Sequence, residues 1–549
     1  MPRVSIPTLR PAALLAALGL LAGVVMGHAQ AQTRPNFVFI ALDDLDPLTV
    51  KHLHDRTSLL SVLVPARAAR YALSSQITPN MNRLADRGVT FTYAWASYPL
   101  CNASRSALLT GVAAARSGYY VENKYPIRDP RSRLRDAVTL PEILRKSGYL
   151  TFGLGKIFHF STATYTPNGV KDWPDIAHSW SGYLEMMAGT QGDIIPAPGA
   201  GLGRLGFGIE RGTNDDQPDW INAGLAATLL TTGAVTTIDF RGNTSSLALD
   251  PSRPFFLGVG FRRPHSPWAA PQEWLDRVPP EILTHARIDL NEERKDLKDT
   301  PRFSLAGGKK VQRFLGYHGT ARSARSARRR LIEAARHYLG AVAFADACVG
   351  RVLDALDASP YANNTVVVLW SDHGYSWGQK LHVGKSSLWE SSLRAELIIA
   401  DLRTPGGGRE EDRPVSLLDI YPTVCDLAGL GSDEPRDGDG ASLMGAVHGG
   451  HAPARTIFAS YRKRERAIRF GPWKYITYGD GPGLDELYNL RSDPFERHNI
   501  LNTTLNPPVL PRIKAELHRI TSRYILPTPT PTATPVPTPR PTRPAPQPG

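Results

Sequence analysis

Cysteine is scarce in this chain: Cys101, Cys348 and Cys425 are the only three in 549 residues. Three thiols cannot build a disulfide framework, and nothing in their spacing brings two of them into bonding reach. Disulfides therefore do not hold the fold together. Cys348 lies in the run Tyr338 to Leu356, where Val342, Ala345, Val349 and Leu353 recur at helical spacing, which reads as a packed thiol. Long apolar segments are missing too. Arg3 and Arg10 precede an apolar run from about Ala12 to Val25, too short to span a bilayer comfortably, and Ala29-Gln30-Ala31 offers small residues for cleavage. Residues 1–31 read as a signal peptide, with an uncleaved anchor as the competing reading. No later segment has the length of a transmembrane helix, so the product is expected to be secreted or otherwise exported, to an extracellular, periplasmic or lysosome-like compartment, with no membrane span after signal cleavage. Acidic residues are in deficit, 51 against 64 basic, giving a net charge of +13. Such a balance suggests an anionic partner. However, the excess is concentrated in Arg322 to Arg330, which reads as a solvated helix face or as a surface that draws an anionic polymer, and nucleic acid is not expected.

A chain of this length, 42% hydrophobic, can bury a large core and is long for one unit, so two structural units are expected. Asn36 to Leu42 is a continuous apolar, partly β-branched run of the kind buried on both faces of a parallel sheet, and it ends in Asp43-Asp44. Paired carboxylates at the carboxyl end of a central strand need a cation or a hydrogen-bond network, so they mark either a metal site or a turn. Residues 55–76 read as an insertion, after which Thr78-Pro79-Asn80 opens a helix through Leu84. A second strand-like run, Thr365 to Trp370, ends in Ser371-Asp372-His373-Gly374. Two strand ends thus deliver three carboxylates and one imidazole, an oxygen-rich set suited to Ca²⁺, with Mg²⁺ as the alternative. A zinc site would want more histidine or thiolate.

Between these strands lies Tyr98 to Gly111. A helix beginning at Cys101 would put residues 101 and 105 on one face and leave amide N–H groups directed at whatever Cys101 carries, an arrangement that suits an anion. Taken alone, a cysteine before a helix is more often a small buried hydrophobe. Three more segments keep it company. Gly155-Lys156-Ile157-Phe158-His159 follows an apolar run; Phe255 to Phe261 is another buried strand, followed by Arg262-Arg263-Pro264-His265-Ser266-Pro267; and Lys385-Ser386-Ser387-Leu388-Trp389-Glu390 follows the Asp372-His373 pair.

These motifs stand in the order found in the type I sulfatases of the alkaline phosphatase superfamily, and from Pro35 to about Asn499 the chain resembles that family. Cys101, Ala103, Arg105, Thr110 and Gly111 match its C-x-[PA]-x-R…T-G signature. The Asp-Asp-Leu strand end, K-x-x-H at 156–159, Asp-His at 372–373 and G-F-x-R-P-H at 260–265 resemble most the iduronate-2-sulfatase subgroup, with choline sulfatases and bacterial glycan sulfatases as near relatives. Arg394-Ala395-Glu396-Leu397 departs from the R-V-P-L frequent in relatives.

The resemblance implies an α/β fold: an alkaline phosphatase-like α/β/α sandwich over residues 32–449, then a smaller C-terminal α+β subdomain on a short antiparallel sheet over 450–526. Pro and Thr dominate 527–549, which reads as an extended, solvated tail. The resemblance also implies that Cys101 is oxidised to formylglycine by a formylglycine-generating enzyme, and that Asp43, Asp44, Asp372, His373 and residue 101 hold one divalent cation. One hydroxyl of the hydrated aldehyde would attack sulfur. Arg105, Lys156 and Lys385 would hold the sulfate oxygens, His265 would protonate the leaving group, and His159 would take a proton from the second hydroxyl so that sulfate is expelled. The expected substrate is a sulfated sugar or other sulfate ester. A choline-sulfatase-like enzyme, a phosphodiester or phosphonate ester hydrolase, and an inactive glycan-binding protein are the alternatives. Of four N-x-[ST] sequons, at Asn102, Asn243, Asn363 and Asn502, the first lies in the signature and is expected to be inaccessible.

Overall fold

The strand Asn36–Asp43 (β1) is buried at every position, as its unbroken apolar run demands. It is a central strand of an eight-stranded sheet in a computed structural model that describes residues 34–49, 51, 59–120, 127–129, 132–159, 174–184, 194–198, 200, 205–238, 244–301, 314–404, 407–431, 438–479, 483–502 and 507–524. The expected signal peptide, the Pro/Thr tail and the Asn243 sequon lie outside the described residues. The other strands are β2 (Val89–Phe91), β3 (Leu150–Gly155), β4 (Gly182–Leu184), β5 (Phe255–Pro264), β6 (Thr365–Ser371), β7 (Leu397–Asp401) and β8 (Arg409–Glu411), in the order β8-β2-β7-β6-β1-β5-β3-β4. The five strands from β6 to β4 are mutually parallel, while β7 runs antiparallel to both its neighbours.

Alternation along β1 divides the interior into two layers. Val38, Ile40 and Leu42 enter a core shared with helices α2 (Pro218–Thr232) and α3 (Ala321–Asp357), whereas Phe37, Phe39 and Ala41 face Leu108 and Leu109 of helix α1 (Cys101–Thr110). Helices therefore cover both faces, the arrangement that the sandwich expectation requires. Cys348 and Cys425 are buried, one in each layer, and neither is in a disulfide among the described residues.

The stretch read as an insertion, residues 55–76, packs into the molecule where it is described. Its described part forms the helices Leu59–Leu63 and Arg67–Ile77, and Leu59, Leu60, Leu63, Leu73 and Ile77 join the same core as α3. Apolar residues this sparse show no clear period, so only the packing reveals their role. The helix Pro79–Ala85 starts where Thr78-Pro79 indicated, but Thr78 does not cap it. Its hydroxyl turns back to the Ser74 carbonyl, and the carboxylate of Asp346 on α3 accepts from the Asn80 and Met81 N–H groups at 3.0 and 2.8 Å. The basic run Arg322 to Arg330 occupies the first turns of α3, with Arg322, Arg325 and Arg329 exposed, while Arg328 donates to the Ala286 carbonyl and Arg330 covers the Phe314 ring.

At the C-terminal end, β9 (Ile457–Tyr461), β10 (Glu465–Phe470), β11 (Trp473–Thr477) and β12 (Asp485–Asn489) form an antiparallel meander. One face packs on helix α4 (Leu510–Ser522) through Ile513, Leu517 and Ile520. The other face meets Trp95, Leu388, Trp389 and Leu393. Glu390 ties the two bodies, accepting from Trp95 Nε1, Arg469 and Lys474 at 3.0, 3.0 and 3.3 Å. The small sheet thereby braces the segment that carries Lys385. No helix among the described residues is long and apolar enough to cross a membrane.

Candidate active site

Four adjacent parallel strands, β6, β1, β5 and β3, end at one edge of the sheet, and directly beyond their carboxyl ends stand Asp372-His373, Asp43-Asp44, His265 and Lys156 respectively. That edge is where open α/β sheets assemble ligand sites. Helix α1 begins at Cys101 with no side-chain cap, and the Cys101 sulfur lies against His373 Nε2 and Lys385 Nζ, so the first turn of the helix faces the same place. Asp43, Asp44, Cys101, Arg105, Lys156, His265, Asp372, His373 and Lys385 come together there.

Arg105 is the hub. Fully buried one turn along α1, it donates from Nε to Asp372 Oδ2 at 2.9 Å, from one terminal nitrogen to the carbonyls of Lys156 (2.5 Å) and Ile157 (3.1 Å), and from the other to Asp43 Oδ1 at 3.5 Å. Its guanidinium also lies 5.3 Å over the Trp370 ring. A fork with five donors can join three strand ends at once, which a lysine could not do. Lys156 Nζ pairs with Asp43, and Lys385 Nζ donates to Asp44 Oδ1 at 2.5 Å and to Cys101 Sγ at 2.8 Å. Gly155 sits at φ 66° where a side chain would strike the Gly260 carbonyl, which explains the glycine before Lys156.

Burial pushes the Asp43 carboxyl up, but Lys156, His265, Arg105 and Lys385 more than offset it and hold it well below the usual range. The same opposition, with Lys385 the strongest attraction, leaves Asp44 at about 2. Both stay ionised. Burial drives the Cys101 thiol well above its ordinary value, and Asp43 adds to this while Lys385 opposes it. An unmodified Cys101 is therefore a neutral thiol and a poor nucleophile.

His373 donates from Nδ1 to the Gly374 carbonyl at 2.9 Å, since a carbonyl can only accept, and this turns its Nε2 toward Asp44 Oδ1 (3.3 Å), Asp372 Oδ1 (3.6 Å) and Cys101 Sγ (3.4 Å). An imidazole so oriented by its other nitrogen, beside converging carboxylates, has the form of a cation site. Among the described residues, two groups of side chains have ligand atoms close enough to share an ion: Asp43, Asp44, Cys101 and His265, and Cys101, Asp372 and His373. The donor set is buried, rich in carboxylate oxygen and poor in thiolate, so it fits a hard divalent cation. His265 falls within this reach although the sequence pointed to it only as an acid. Its Nε2 lies 3.9 Å from Asp44 Oδ2, and its Nδ1 donates to the Ser266 carbonyl at 2.6 Å. Burial lowers its pKa to about 4, with Asp44 and Asp43 opposing and Lys385 and Lys156 reinforcing. His159 is held well below its ordinary value by burial and by Lys156, and its Nδ1 is buried with no hydrogen-bond partner among the described residues.

Several supporting residues carried no sequence signal. Tyr338 of α3 donates to the Asp44 carbonyl at 2.9 Å and accepts from Asp46 N–H at 2.8 Å, fixing Asp44 in a left-handed turn at φ 64°. In sequence it is one more apolar-face residue of a helix. Ser371 accepts from Leu45 N–H, and Ser104 donates to the Asp372 carbonyl. Glu396, at the point of departure from R-V-P-L, is fully buried and accepts from the Leu48 amide and the Thr49 hydroxyl, both at 3.2 Å, so it holds the loop after Asp44. Asn102 is buried, as its sequon's place in the signature implied.

Residues 35–430 match the family model described as Sulfatase. The chain is 33% identical over 500 residues to a sulfatase of Formosa agariphila, covering 89% of this chain and 88% of that one. It is 26% identical to the choline-sulfatase of Rhizobium meliloti, over 78% of each chain. Among solved structures, the phosphonate monoester hydrolase of Agrobacterium radiobacter superposes with a TM-score of 0.66 at 22% identity, over 90% of this chain and 96% of that one, a likeness of fold.

Proposed function

The chain belongs to the sulfatase family and is a sulfuric ester hydrolase, and from that premise we propose that its substrate is a sulfated sugar, of the kind expected from its resemblance to the iduronate-2-sulfatase subgroup. We further propose that residue 101 acts as formylglycine and that a divalent cation, Ca²⁺ before Mg²⁺, is held by Asp43, Asp44, Asp372 and His373 with residue 101. The cations gathered beside Cys101 carry the reading: Lys385 donates to its sulfur, and Arg105 and Lys156, both paired with Asp43, interact with the same side chain electrostatically, an arrangement that suits a sulfate group and the charge that grows on it. Formylglycine, as its hydrate, would supply an oxygen nucleophile at position 101, and the cation would lower the pKa of a nearby hydroxyl. Arg105, Lys156 and Lys385 hold the sulfate oxygens. His265 presents Nε2 to the site and gives a proton to the departing oxygen; bound sulfate adds the negative charge that keeps that proton on the ring. His159, neutral and with Nδ1 uncommitted, takes a proton from residue 101 in the second half of the reaction.

Support for an anionic sugar over choline sulfate comes from the site's border. The β9–β10 hairpin is bound to the segment before Cys101, with Ser460 N–H donating to the Ser97 carbonyl and Arg462 N–H to the Tyr98 hydroxyl. Its tip exposes Arg462, Lys463 and Arg464, and the Arg462 guanidinium lies over the Tyr461 ring. Such a border attracts further sulfate or carboxylate groups and repels choline.

A panel of sulfated glycan fragments, choline sulfate, a phosphodiester and a phosphonate monoester at equal concentration tests the proposal. The largest kcat/KM is expected for a sugar sulfate; faster turnover of choline sulfate or the phosphonate would overturn it. With the substrate found, His265→Ala should slow the sugar ester by about 10²–10⁴-fold and nitrophenyl sulfate far less, because a nitrophenolate leaves without a proton. His159→Ala should slow both alike and let sulfated enzyme accumulate. Equal losses in the His265 variant would refute its role as acid.

A further inference from the structure

We infer that Arg263, clamped by Glu210, is a positioning residue for His265: it fixes the turn whose carbonyl holds the Nδ1 proton, so that the proton given to the leaving oxygen is the second one, carried on Nε2 of the imidazolium. The inference rests on the reading of His265 as the leaving-group acid. Arg263 is almost fully buried, and one terminal nitrogen donates both to the His265 carbonyl at 3.1 Å and to the Pro267 carbonyl at 2.8 Å, while the other pairs with Glu210. Between those two carbonyls lies that of Ser266, which takes the His265 Nδ1 proton at 2.6 Å. Three successive carbonyls are thus assigned, the outer two to Arg263 and the middle one to His265. Holding the outer pair sets the direction of the middle one, and that direction commits Nδ1 to donate and leaves Nε2 for the site.

The clamp itself is anchored from both sides. Asp219, in the first turn of α2, accepts the Arg262 and Arg263 N–H groups at 2.9 and 2.8 Å. Glu210 ends the short strand Phe207–Glu210, which pairs with Trp268–Ala270 immediately after the turn. Behind that strand, His337 of α3 donates to the Gly208 carbonyl at 2.8 Å. Among the described residues, neither Arg263 nor Glu210 belongs to the cation-binding groups or hydrogen-bonds to Cys101, so their effect on turnover is expected to pass through His265.

Kinetics of Arg263→Lys, Glu210→Gln, His265→Ala and the Arg263→Lys/His265→Ala double variant, on nitrophenyl sulfate and on a sugar sulfate, test the inference. A misplaced catalytic group costs up to about 10²-fold. Arg263→Lys is expected to lower kcat for the sugar ester by about 10–10²-fold with KM little changed and nitrophenyl sulfate nearly unaffected, which also proves that the variant is folded. Glu210→Gln, which keeps an acceptor but loses the charge, should move kcat in the same direction by less. In the double variant Arg263→Lys should add nothing to the loss from His265→Ala. Losses that multiply, or that fall equally on both esters, overturn the inference. Should His265→Ala itself show no leaving-group preference, the acid role falls instead, while the double variant still tells whether Arg263 works through His265.

Discussion

Cys101 touches Asp44, His373 and Lys385 but is held in an unreactive state. Lys385 donates to its sulfur, yet burial and the Asp43 charge keep the thiol protonated, so a cysteine-nucleophile hydrolase would have to work against its own electrostatics. An oxygen species at position 101 escapes that conflict. Peptide mass spectrometry of the active protein should show the thiol sulfur lost and an aldehyde oxygen gained at residue 101; full activity from a chain with an intact thiol would sink the idea. Cys101→Ser should be sulfated once and then stall, because a serine sulfate ester has no second hydroxyl to expel the group. At this scale the sequence was legible wherever a residue's chemistry is rare for its place: adjacent carboxylates at a strand end, or a lysine and a histidine straight after one. It was not legible for Tyr338, Glu396 or Glu210, whose partners lie far away along the chain and whose types are ordinary in a helix, a strand or a loop.

Elements were easiest to read where one period ran unbroken, as in β1, β5, β6 and α3, and hardest where tertiary partners replace local signals. The helix Pro79–Ala85 shows why. Its expected cap, Thr78, bonds elsewhere, and the cap arrives from Asp346, embedded in what reads as a helix interior. Burial raises that carboxyl to about 7, with the Met81 and Asn80 hydrogen bonds and then Arg83 opposing. The sign of the consequence is fixed: the unfolded carboxyl ionises near 3.8 and the folded one near 7, so its contribution to stability is full below about pH 4 and is lost as pH rises to about 7. A tenfold change in proton affinity is worth about 1.4 kcal/mol, so the loss amounts to about 4 kcal/mol at most. Denaturant unfolding at pH 4, 5.5 and 7 should show this slope in the wild type and its absence in Asp346→Asn, whatever constant offset the amide introduces. Identical pH dependence in the two proteins would mean that the caps for Asn80 and Met81 hold the carboxylate ionised throughout.

Taken as a whole, the molecule is assembled around charges that cannot be left alone. Three carboxylates, two lysines and Arg105 sit at the meeting point of β1, β3, β5, β6 and α1, and the C-terminal sheet presses the Lys385 segment onto them through Trp389 and Glu390. The sequence showed the sheet and the smaller unit as separate regions; it could not show that the second braces the first, because that contact joins residues such as Trp95 and Lys474 across most of the chain. A cation bound at this junction would touch side chains from β1, β6 and α1, and so stabilise the folded chain as a whole: a ligand at 100 times its Kd adds about 2.7 kcal/mol when the unfolded chain does not bind it. Metal analysis should find one divalent cation per chain, chelation should lower Tm and abolish turnover, and Ca²⁺ should restore both. Asp372→Ala should lose activity and bound metal together, and its Tm should no longer respond to Ca²⁺. Asp346→Asn, far from the donor set, should keep the full Ca²⁺ response, which separates loss of the site from general destabilisation. Full turnover and an unchanged Tm after exhaustive chelation would require the three carboxylates, two lysines and Arg105 to balance one another, and would remove the cation from the proposed function.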